Sequence, residues 1–219
     1  MLTRIVPTKE RLAFQLAHAK ARDAVLNDLN CMFIASREAI IVHSLAINRA
    51  TYLRRPDLGR RLADPEKVER GDYDAVIIIA DGLSATAVHR NAGPVLDALL
   101  PLLEGWKLAP IFIAEQSRVA VADEIGELAG AKMSVILIGE RPGLSSPDSL
   151  GAYLTWGPRV GRNDSERNCV SNIREEGLKP TLAAQRIAML MKAARGQQVT
   201  GVRLSGNAIL AEEGSPVTG

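Results

Sequence analysis

Three short loops of small and acidic residues follow the most apolar segments of the chain, and they are the first places where chemistry is expected. They are Asp81–Ser84, Glu115–Val119 and Gly139–Gly143. The carboxyl ends of parallel strands meet at one edge of a sheet, where open α/β sheets bind ligands. The loops offer backbone amides, a carboxylate and small side chains, with little concentrated positive charge. This set suits a large neutral ligand with a hydrogen-bonding rim better than a phosphate.

A polar, glycine-rich segment follows the third apolar run and ends in Arg167–Asn172 (RNCVSN). We predict that this motif forms a turn that joins the same edge. A more modest role is also open for the first loop, since Asp81 or Ser84 could simply cap the following helix, and this is the interpretation that we favour.

A catalytic set within this chain is not indicated. His18, His43 and His89 fall on predicted helices, far in sequence from Cys169, and no nucleophile-elbow motif accompanies them. The same scatter gives no metal-ligand spacing. The chain lacks a G-x-G-x-x-G motif after its first strand and a Walker lysine loop. Glu140 could act as a general base, but the sequence gives it no evident partner.

Four arginines surround a Pro-Asp pair and a glycine in Tyr52–Leu62. They could form an anion site. The interpretation that we favour is a solvated or interface loop whose arginines pair with carboxylates.

The elements that must position these loops follow from apolar periodicity. The segment Tyr73–Ala80 is continuously apolar and β-branched, which is typical of a central parallel strand buried on both faces. Further strands are predicted at Pro110–Ala114, Ser134–Ile138, Ala152–Trp156 and Gly201–Leu204, and helices at Thr8–Leu29, Ser36–Leu53, Ala85–Leu103, Val119–Ala129, Asp164–Ile173 and Thr181–Ala194.

The predicted fold is α/β, with a mostly parallel, Rossmann-like sheet and flanking helices, preceded by an N-terminal helical region. The expected divisions are a helical region over residues 1–70, an α/β domain over 71–205 and a loose tail over 206–219. In the first helix, Leu12, Leu16 and Ala19 form one stripe, which we expect to pack on the protein's own core rather than on a partner.

Composition excludes several classes of protein. The formal net charge is +2, and aromatic residues make up 4%, which argues against a nucleic-acid partner. Two cysteines do not make a disulfide framework. No apolar run approaches the ~20 residues of a membrane helix. The sequence therefore predicts a reduced, soluble, intracellular protein without a membrane partner.

Motifs spread along the chain resemble the small (light) subunit of ethanolamine ammonia-lyase. The similarity runs in order from about Leu12 to Leu204, and the motifs in register are Gln15–Val25, YLRRPDLG at 52–59, ADGLSA at 80–85, GERPGL at 139–144 and RNCVSNI at 167–173. Several separate motifs in register are far more specific than any one of them.

The resemblance implies one subunit of an adenosylcobalamin-dependent lyase that converts ethanolamine to acetaldehyde and ammonia. It implies a TIM-barrel large subunit that binds the substrate, a small subunit that covers the cobalamin between the two chains, and a hetero-oligomer of several such pairs. The expected location is cytoplasmic, with a bacterial microcompartment as an option. Family members usually carry a longer leader before the first helix, which leaves microcompartment targeting open.

Carried over by motif, Val119, Glu140 and Cys169 are the expected cobalamin contacts, with no catalytic residue and no metal ligand in this chain. Val119 would offer backbone groups and an apolar contact, Glu140 would accept a hydrogen bond, and Cys169 would supply a backbone group or a weak thiol contact. The alternatives are purely structural roles, in which Glu140 pairs with an arginine and Cys169 is a small buried hydrophobic residue.

Two details qualify the resemblance. No histidine has an aspartate two positions before it, so the Asp-x-His-x-x-Gly motif is missing and the cobalamin is expected to be base-on. The loop before Val119 reads Gln116-Ser117-Arg118 where the family pattern has glycine before the arginine, which could alter the turn. The alternative of another class is a stand-alone α/β protein that binds a nucleotide or other small ligand without catalysis.

Overall fold

The computed structural model describes residues 7–30 and 38–204, which form a six-stranded sheet flanked by helices. The strands are β1 (Ala39–His43), β2 (Val76–Ala80), β3 (Ile111–Glu115), β4 (Met133–Gly139), β5 (Leu150–Trp156) and β6 (Arg167–Ile173); the helices are α1 (Thr8–Leu26), α2 (Arg49–Arg54), α3 (Ala85–Leu99), α4 (Val121–Ala129) and α5 (Pro180–Gln197). The α/β class is therefore confirmed.

The sheet has a parallel half and an antiparallel half. Its strand order is β1-β3-β2-β4-β5-β6. The first four strands in that order pair in parallel, whereas β5 is antiparallel to β4 and β6 is antiparallel to β5. The expectation of a mostly parallel sheet thus holds for β1 to β4 only.

Helices cover the two faces of the parallel half. Every residue of β2 is buried, as its continuous β-branched run predicts. One face, which includes Ile77 and Leu137, packs against α3 and α5. The other face, which includes Ile78 and Ile136, packs against α4. The connection from β2 to β3 runs through α3 on one face, and the connection from β3 to β4 runs through α4 on the other face. The two connections lead away to opposite sides at the point where β2 and β4 are neighbours.

On the α4 side, the antiparallel half is more open. Tyr153 on β5 is half-buried, and Cys169, which lies opposite Tyr153 on β6, is exposed. Part of this sheet face is therefore accessible next to α4.

The predicted helix over Ser36–Leu53 is wrong. Residues 39–43 form β1, which pairs with β3. Among the described residues of this stretch, the helix covers only Arg49–Arg54, and it starts where the Asn48 side chain accepts a hydrogen bond from the Thr51 backbone amide at 2.9 Å. The β-branched run of β1 gains its hydrogen bonds from β3, a partner that local periodicity does not reveal. Ser36, the first residue of the predicted helix, lies outside the described residues, as does the tail over 206–219.

Two other element predictions are wrong. The segment predicted as the helix Asp164–Ile173 is a short 3₁₀ turn over Asp164–Glu166 followed by β6, so the RNCVSN motif is a strand rather than a turn. Residues 202–204 are helical rather than an edge strand. No helix among the described residues is long and apolar enough to cross a membrane.

The apolar stripe predicted on α1 is exposed. Leu12 and Leu16 are 58% and 57% exposed, whereas Ala24 is the one buried residue of the helix. The prediction that this stripe packs on the protein's own core is therefore wrong for these two leucines.

Candidate functional site

Two of the three loops interlock at the carboxyl ends of β2 and β4. The Leu83 amide donates to the Gly139 carbonyl at 2.9 Å. A Cβ on Gly139 would lie 2.1 Å from the Ser84 carbonyl oxygen, and one on Gly82, whose φ is 54°, would lie 2.2 Å from the Gly139 oxygen. Only glycine permits this approach at both positions. The loops meet where the two crossovers diverge, which is where doubly wound sheets bind ligands.

Asp81 fixes the third loop to the same edge. Its Oδ2 accepts from the Gln116 amide at 3.1 Å and its Oδ1 from the Ser117 amide at 3.0 Å, while Arg49 Nη1 lies 3.2 Å from Oδ2. Burial raises the pKa of the Asp81 carboxyl to about 6, although Arg49 opposes this shift. Asp81 therefore organises the edge, and Ser84 is the residue that caps α3, through the Ala87 amide at 3.2 Å.

Tyr52 and Gly59 hold the 116–119 segment from its other side. The Tyr52 hydroxyl donates to the Ser117 carbonyl at 3.1 Å, and the Arg118 amide donates to the Gly59 carbonyl at 2.7 Å. The Arg118 guanidinium lies 4.5 Å from the centre of the Tyr52 ring. These contacts maintain a left-handed backbone at Gln116, where φ is 53°, although this residue is not glycine.

Val119 follows this clamped turn, two residues before α4 begins. It is partly buried and packs against the core on the α4 side of the sheet. Although this loop has Ser117 where the family pattern has glycine, the contacts of the loop still fix the backbone that leads into Val119.

Glu140 leaves the end of β4 and lies over the neighbouring strand. Its carboxylate accepts from the Ser149 hydroxyl at 2.5 Å and from the Asn172 amide at 3.4 Å. A Cβ on Gly151 would lie 2.8 Å from Glu140 Oε1 and 3.2 Å from a ring carbon of Tyr153. The missing side chain at Gly151 thus creates the space that Glu140 occupies. We considered an arginine as the partner of Glu140. The partners that the structure gives to its carboxylate in these two contacts are instead Ser149 and Asn172.

Cys169 lies opposite Tyr153 in the β5–β6 ladder. Desolvation raises the pKa of the Cys169 thiol, the neighbouring Tyr153 hydroxyl opposes this shift, and the Glu140 carboxylate raises the pKa further. Cys169 is exposed, so the alternative of a small buried hydrophobe is wrong. A thiol held in its neutral form is a poor nucleophile.

Glu140, Ser149, Gly151, Tyr153 and Cys169 form what we call the β5–β6 shelf. Tyr153 and Val119 pack on the same side of the sheet, so the three predicted contacts (Val119, Glu140 and Cys169) lie on one side of it. The sequence prediction missed Tyr153 and Ser149. Period-two alternation with Gly151 marks Tyr153 as facing that side, but the strand register that brings it to Cys169 is not visible in the sequence.

The shelf and the clamped loop form a surface with little free charge. Asp81 is paired with Arg49, and the remaining polar groups are amides, hydroxyls, the Cys169 thiol, the Glu140 carboxylate and the Arg118 guanidinium, which lies against the Tyr52 ring. The arginine cluster at 52–62 is also engaged, since Arg55 pairs with Asp57 at 2.6 Å and Arg61 with Glu124 at 3.0 Å. The favoured prediction of carboxylate pairing is confirmed for these two arginines.

Comparison with known proteins gives a consistent result. The family model for the ethanolamine ammonia-lyase light chain matches residues 2–205. The small subunit of ethanolamine ammonia-lyase from Pseudomonas aeruginosa (strain UCBPP-PA14) is 52% identical, over 98% of this chain and 85% of its own length. The small subunits from Pseudomonas syringae pv. tomato and Azotobacter vinelandii are each 52% identical over 94% of this chain, and over 77% and 82% of their own lengths.

Proposed function

Because the chain belongs to the ethanolamine ammonia-lyase light-chain family, and is thus a subunit of that lyase, we propose that it acts by covering adenosylcobalamin. In this proposal the cofactor lies between this chain and a TIM-barrel large subunit. The reaction is the conversion of ethanolamine to acetaldehyde and ammonia, and the large subunit holds the substrate.

The observation that carries this proposal is the β5–β6 shelf beside the clamped 116–119 segment. A corrin is a broad, largely apolar disc with amide groups at its rim. An open sheet face with few charges suits the disc, and a carboxylate held at one end suits the amide rim. The space above Gly151, which a Cβ would fill, lets Glu140 lie flat on this face.

Within this proposal, each contact has a distinct role. Val119 would present backbone groups and an apolar side chain, Glu140 would accept a hydrogen bond from a rim amide or a hydroxyl, and Cys169 would contribute a neutral thiol or backbone group. Tyr153 would hold Cys169 in place. The cofactor, when bound, supplies the radical chemistry, while the protein orients it and excludes water. We expect the cobalamin to keep its own benzimidazole base.

The remaining organisation is also proposed. Residues 71–205 would form the cobalamin-binding domain in a Rossmann-like arrangement, with 1–70 and 206–219 as flanking regions, although β1 from the first region already joins the sheet. The assembly would be a hetero-oligomer of large and small subunits that works in the cytoplasm, free or inside a bacterial microcompartment.

Co-expression with the large subunit tests the proposal. Acetaldehyde release from ethanolamine should require the large subunit, this chain and adenosylcobalamin together. If release by the large subunit did not depend on this chain, the proposal would fail. Cobalamin-independent binding of a nucleotide by the isolated chain would instead favour the stand-alone binding protein.

A further inference from the structure

A buried ion pair joins α4 to β6. The Arg167 guanidinium donates from both of its Nη atoms to the two carboxylate oxygens of Asp123, each at 2.7 Å. Only 2% of the Arg167 side chain and 1% of the Asp123 side chain are exposed. Two parallel hydrogen bonds fix the orientation of the two groups as well as their distance. The first turn of α4 is therefore tied to the start of β6 in one arrangement.

The same guanidinium also bonds to two neighbouring segments. Its Nη1 donates to the Thr155 hydroxyl on β5 at 2.9 Å, and its Nη2 donates to the Arg162 carbonyl at 3.0 Å. Each Nη atom thus has two acceptors, and the planar guanidinium holds these four bonds in fixed directions. Arg167 therefore links α4, β5, β6 and the loop that precedes β6.

Both ends of this link lead within a few residues to a predicted cobalamin contact. Cys169 follows Arg167 by two positions on β6, so the two side chains lie on the same face of the strand. Val119 precedes Asp123 by four positions, and the turn between them is closed by a hydrogen bond from the Ala122 amide to the Val119 carbonyl at 3.1 Å. The ion pair thus connects two parts of the candidate site that are far apart in the sequence.

The pair is costly to bury. Burial raises the pKa of the Asp123 carboxyl above its ordinary value, although Arg167 opposes this shift. The Arg167 Nε atom is also buried and has no hydrogen-bond partner among the described residues, since the Asp164 oxygen lies 3.6 Å away. Apolar residues of similar size often stabilise a fold at least as well as a buried ion pair does. What the pair adds over such residues is a fixed direction.

We propose that Arg167 is a positioning residue, which holds Val119 and Cys169 at the spacing that cobalamin requires through its bonds to Asp123. This inference rests on the proposed function, because it takes these two residues as contacts of the cofactor. Arg167 is too deeply buried to touch the cofactor, so its effect passes through α4 and β6.

Two variants in the assembled enzyme separate positioning from stability. Arg167→Met leaves the Asp123 carboxylate buried alone, so the melting temperature should fall. Adding Asp123→Leu places two methyl groups where the carboxylate oxygens were, and most of the melting temperature should return. We expect the Kd for cobalamin to stay about tenfold higher in this double variant, because the fixed direction is not restored.

Two other substitutions complete the comparison. Arg167→Lys keeps a positive charge beside Asp123 but not the paired bonds, and it should also raise the Kd for cobalamin if the methionine variant does not assemble. Arg61→Met is the matched control, because Arg61 pairs at the surface with Glu124, the next residue of α4. We expect the control to leave the Kd within about twofold of the unmodified enzyme.

Hydrogen exchange on the assembled enzyme without cobalamin gives a measurement that does not involve the cofactor. In the double variant, the amides of residues 119–123 and 167–170 should exchange faster than in the unmodified enzyme. In the Arg61→Met control, the same amides should exchange at the unmodified rate.

Several results would overturn the inference. They are a Kd that returns with the melting temperature in the double variant while Glu140→Gln still weakens binding, unchanged exchange in both segments, or an equal rise in Kd for the Arg61→Met control. The first of these would leave the proposed function intact. If neither the double variant nor Glu140→Gln changed the Kd for cobalamin, the proposed function would fail, and this inference with it.

Discussion

Replacing Arg49 by methionine should have a large effect that depends on pH. The guanidinium donates to Asp81 Oδ2 at 3.2 Å, to the Gly82 carbonyl at 2.8 Å and to the Val25 carbonyl at 2.6 Å. Only 9% of the Arg49 side chain and 1% of the Asp81 side chain are exposed. Removing one partner of a buried ion pair costs about 3–5 kcal/mol in the free energy of unfolding, because the other charge stays buried.

The pH dependence follows from Asp81. Its pKa is raised by burial from 3.8 in the unfolded chain to about 6 in the fold. Between about pH 4 and pH 6 the unfolded chain has already released the Asp81 proton, whereas the folded chain still holds it. The free energy of unfolding therefore falls as the pH rises through this range. Without Arg49 this pKa should rise further, so the loss should continue to higher pH. The destabilisation of Arg49→Met should therefore be larger at pH 8 than at pH 5.

Urea unfolding of the full chain at both pH values measures this effect. Arg55→Met is the matched control, because Arg55 and Asp57 form an ion pair that is exposed to solvent. We expect this variant to change the free energy of unfolding little and to add no pH dependence. Adding Asp81→Asn to Arg49→Met should restore part of the stability at pH 8, since no charge is then buried alone. A loss under about 1 kcal/mol, or one that is equal at the two pH values, would show that the Arg49–Asp81 pair does not have this stabilising role.

Two further predictions concern the shelf, and a third concerns the axial ligand of the bound cobalamin. Gly151→Ala places a Cβ 2.8 Å from Glu140 Oε1 and should displace the carboxylate. We expect cobalamin binding in the complex to weaken about tenfold while the melting temperature stays nearly constant. An unchanged affinity for cobalamin would contradict the shelf geometry. Cys169→Ala should retain most of the turnover in the acetaldehyde assay, because the neutral thiol is not a nucleophile, and complete loss would contradict this role. An EPR spectrum of the cob(II)alamin complex, with histidines labelled with nitrogen-15, should show no protein nitrogen on cobalt; a histidine signal would disprove base-on binding.

The parts of the fold that were predictable are those specified by local composition. The β2 run is buried on both faces, and its continuous β-branched residues identify it without knowledge of its neighbours. By contrast, β1 and β6 lie at the two edges of the sheet, and their pairing with β3 and β5 is a tertiary contact that local composition does not specify. Helical spacing and an edge strand are hard to separate in such short segments.

The candidate site was predictable as a place but not as a set of contacts. The meeting of the Asp81 and Gly139 loops follows from parallel strands and is confirmed. The choice of Val119, Glu140 and Cys169 came from family motifs, and their contact with cobalamin stays a prediction. Tyr153 was missed because its position opposite Cys169 depends on an antiparallel register.

The variant Glu140→Gln tests whether this chain contacts cobalamin through the shelf. Removing the charge replaces a charge-assisted hydrogen bond by a neutral one, which should weaken cobalamin binding by the assembled enzyme by ~1–3 kcal/mol, or about 5- to 150-fold in Kd. Glu176→Gln, which alters an exposed carboxylate, is the control and should leave Kd unchanged. Cobalamin titration of both complexes should separate the two variants. An unchanged Kd for Glu140→Gln would contradict the claim.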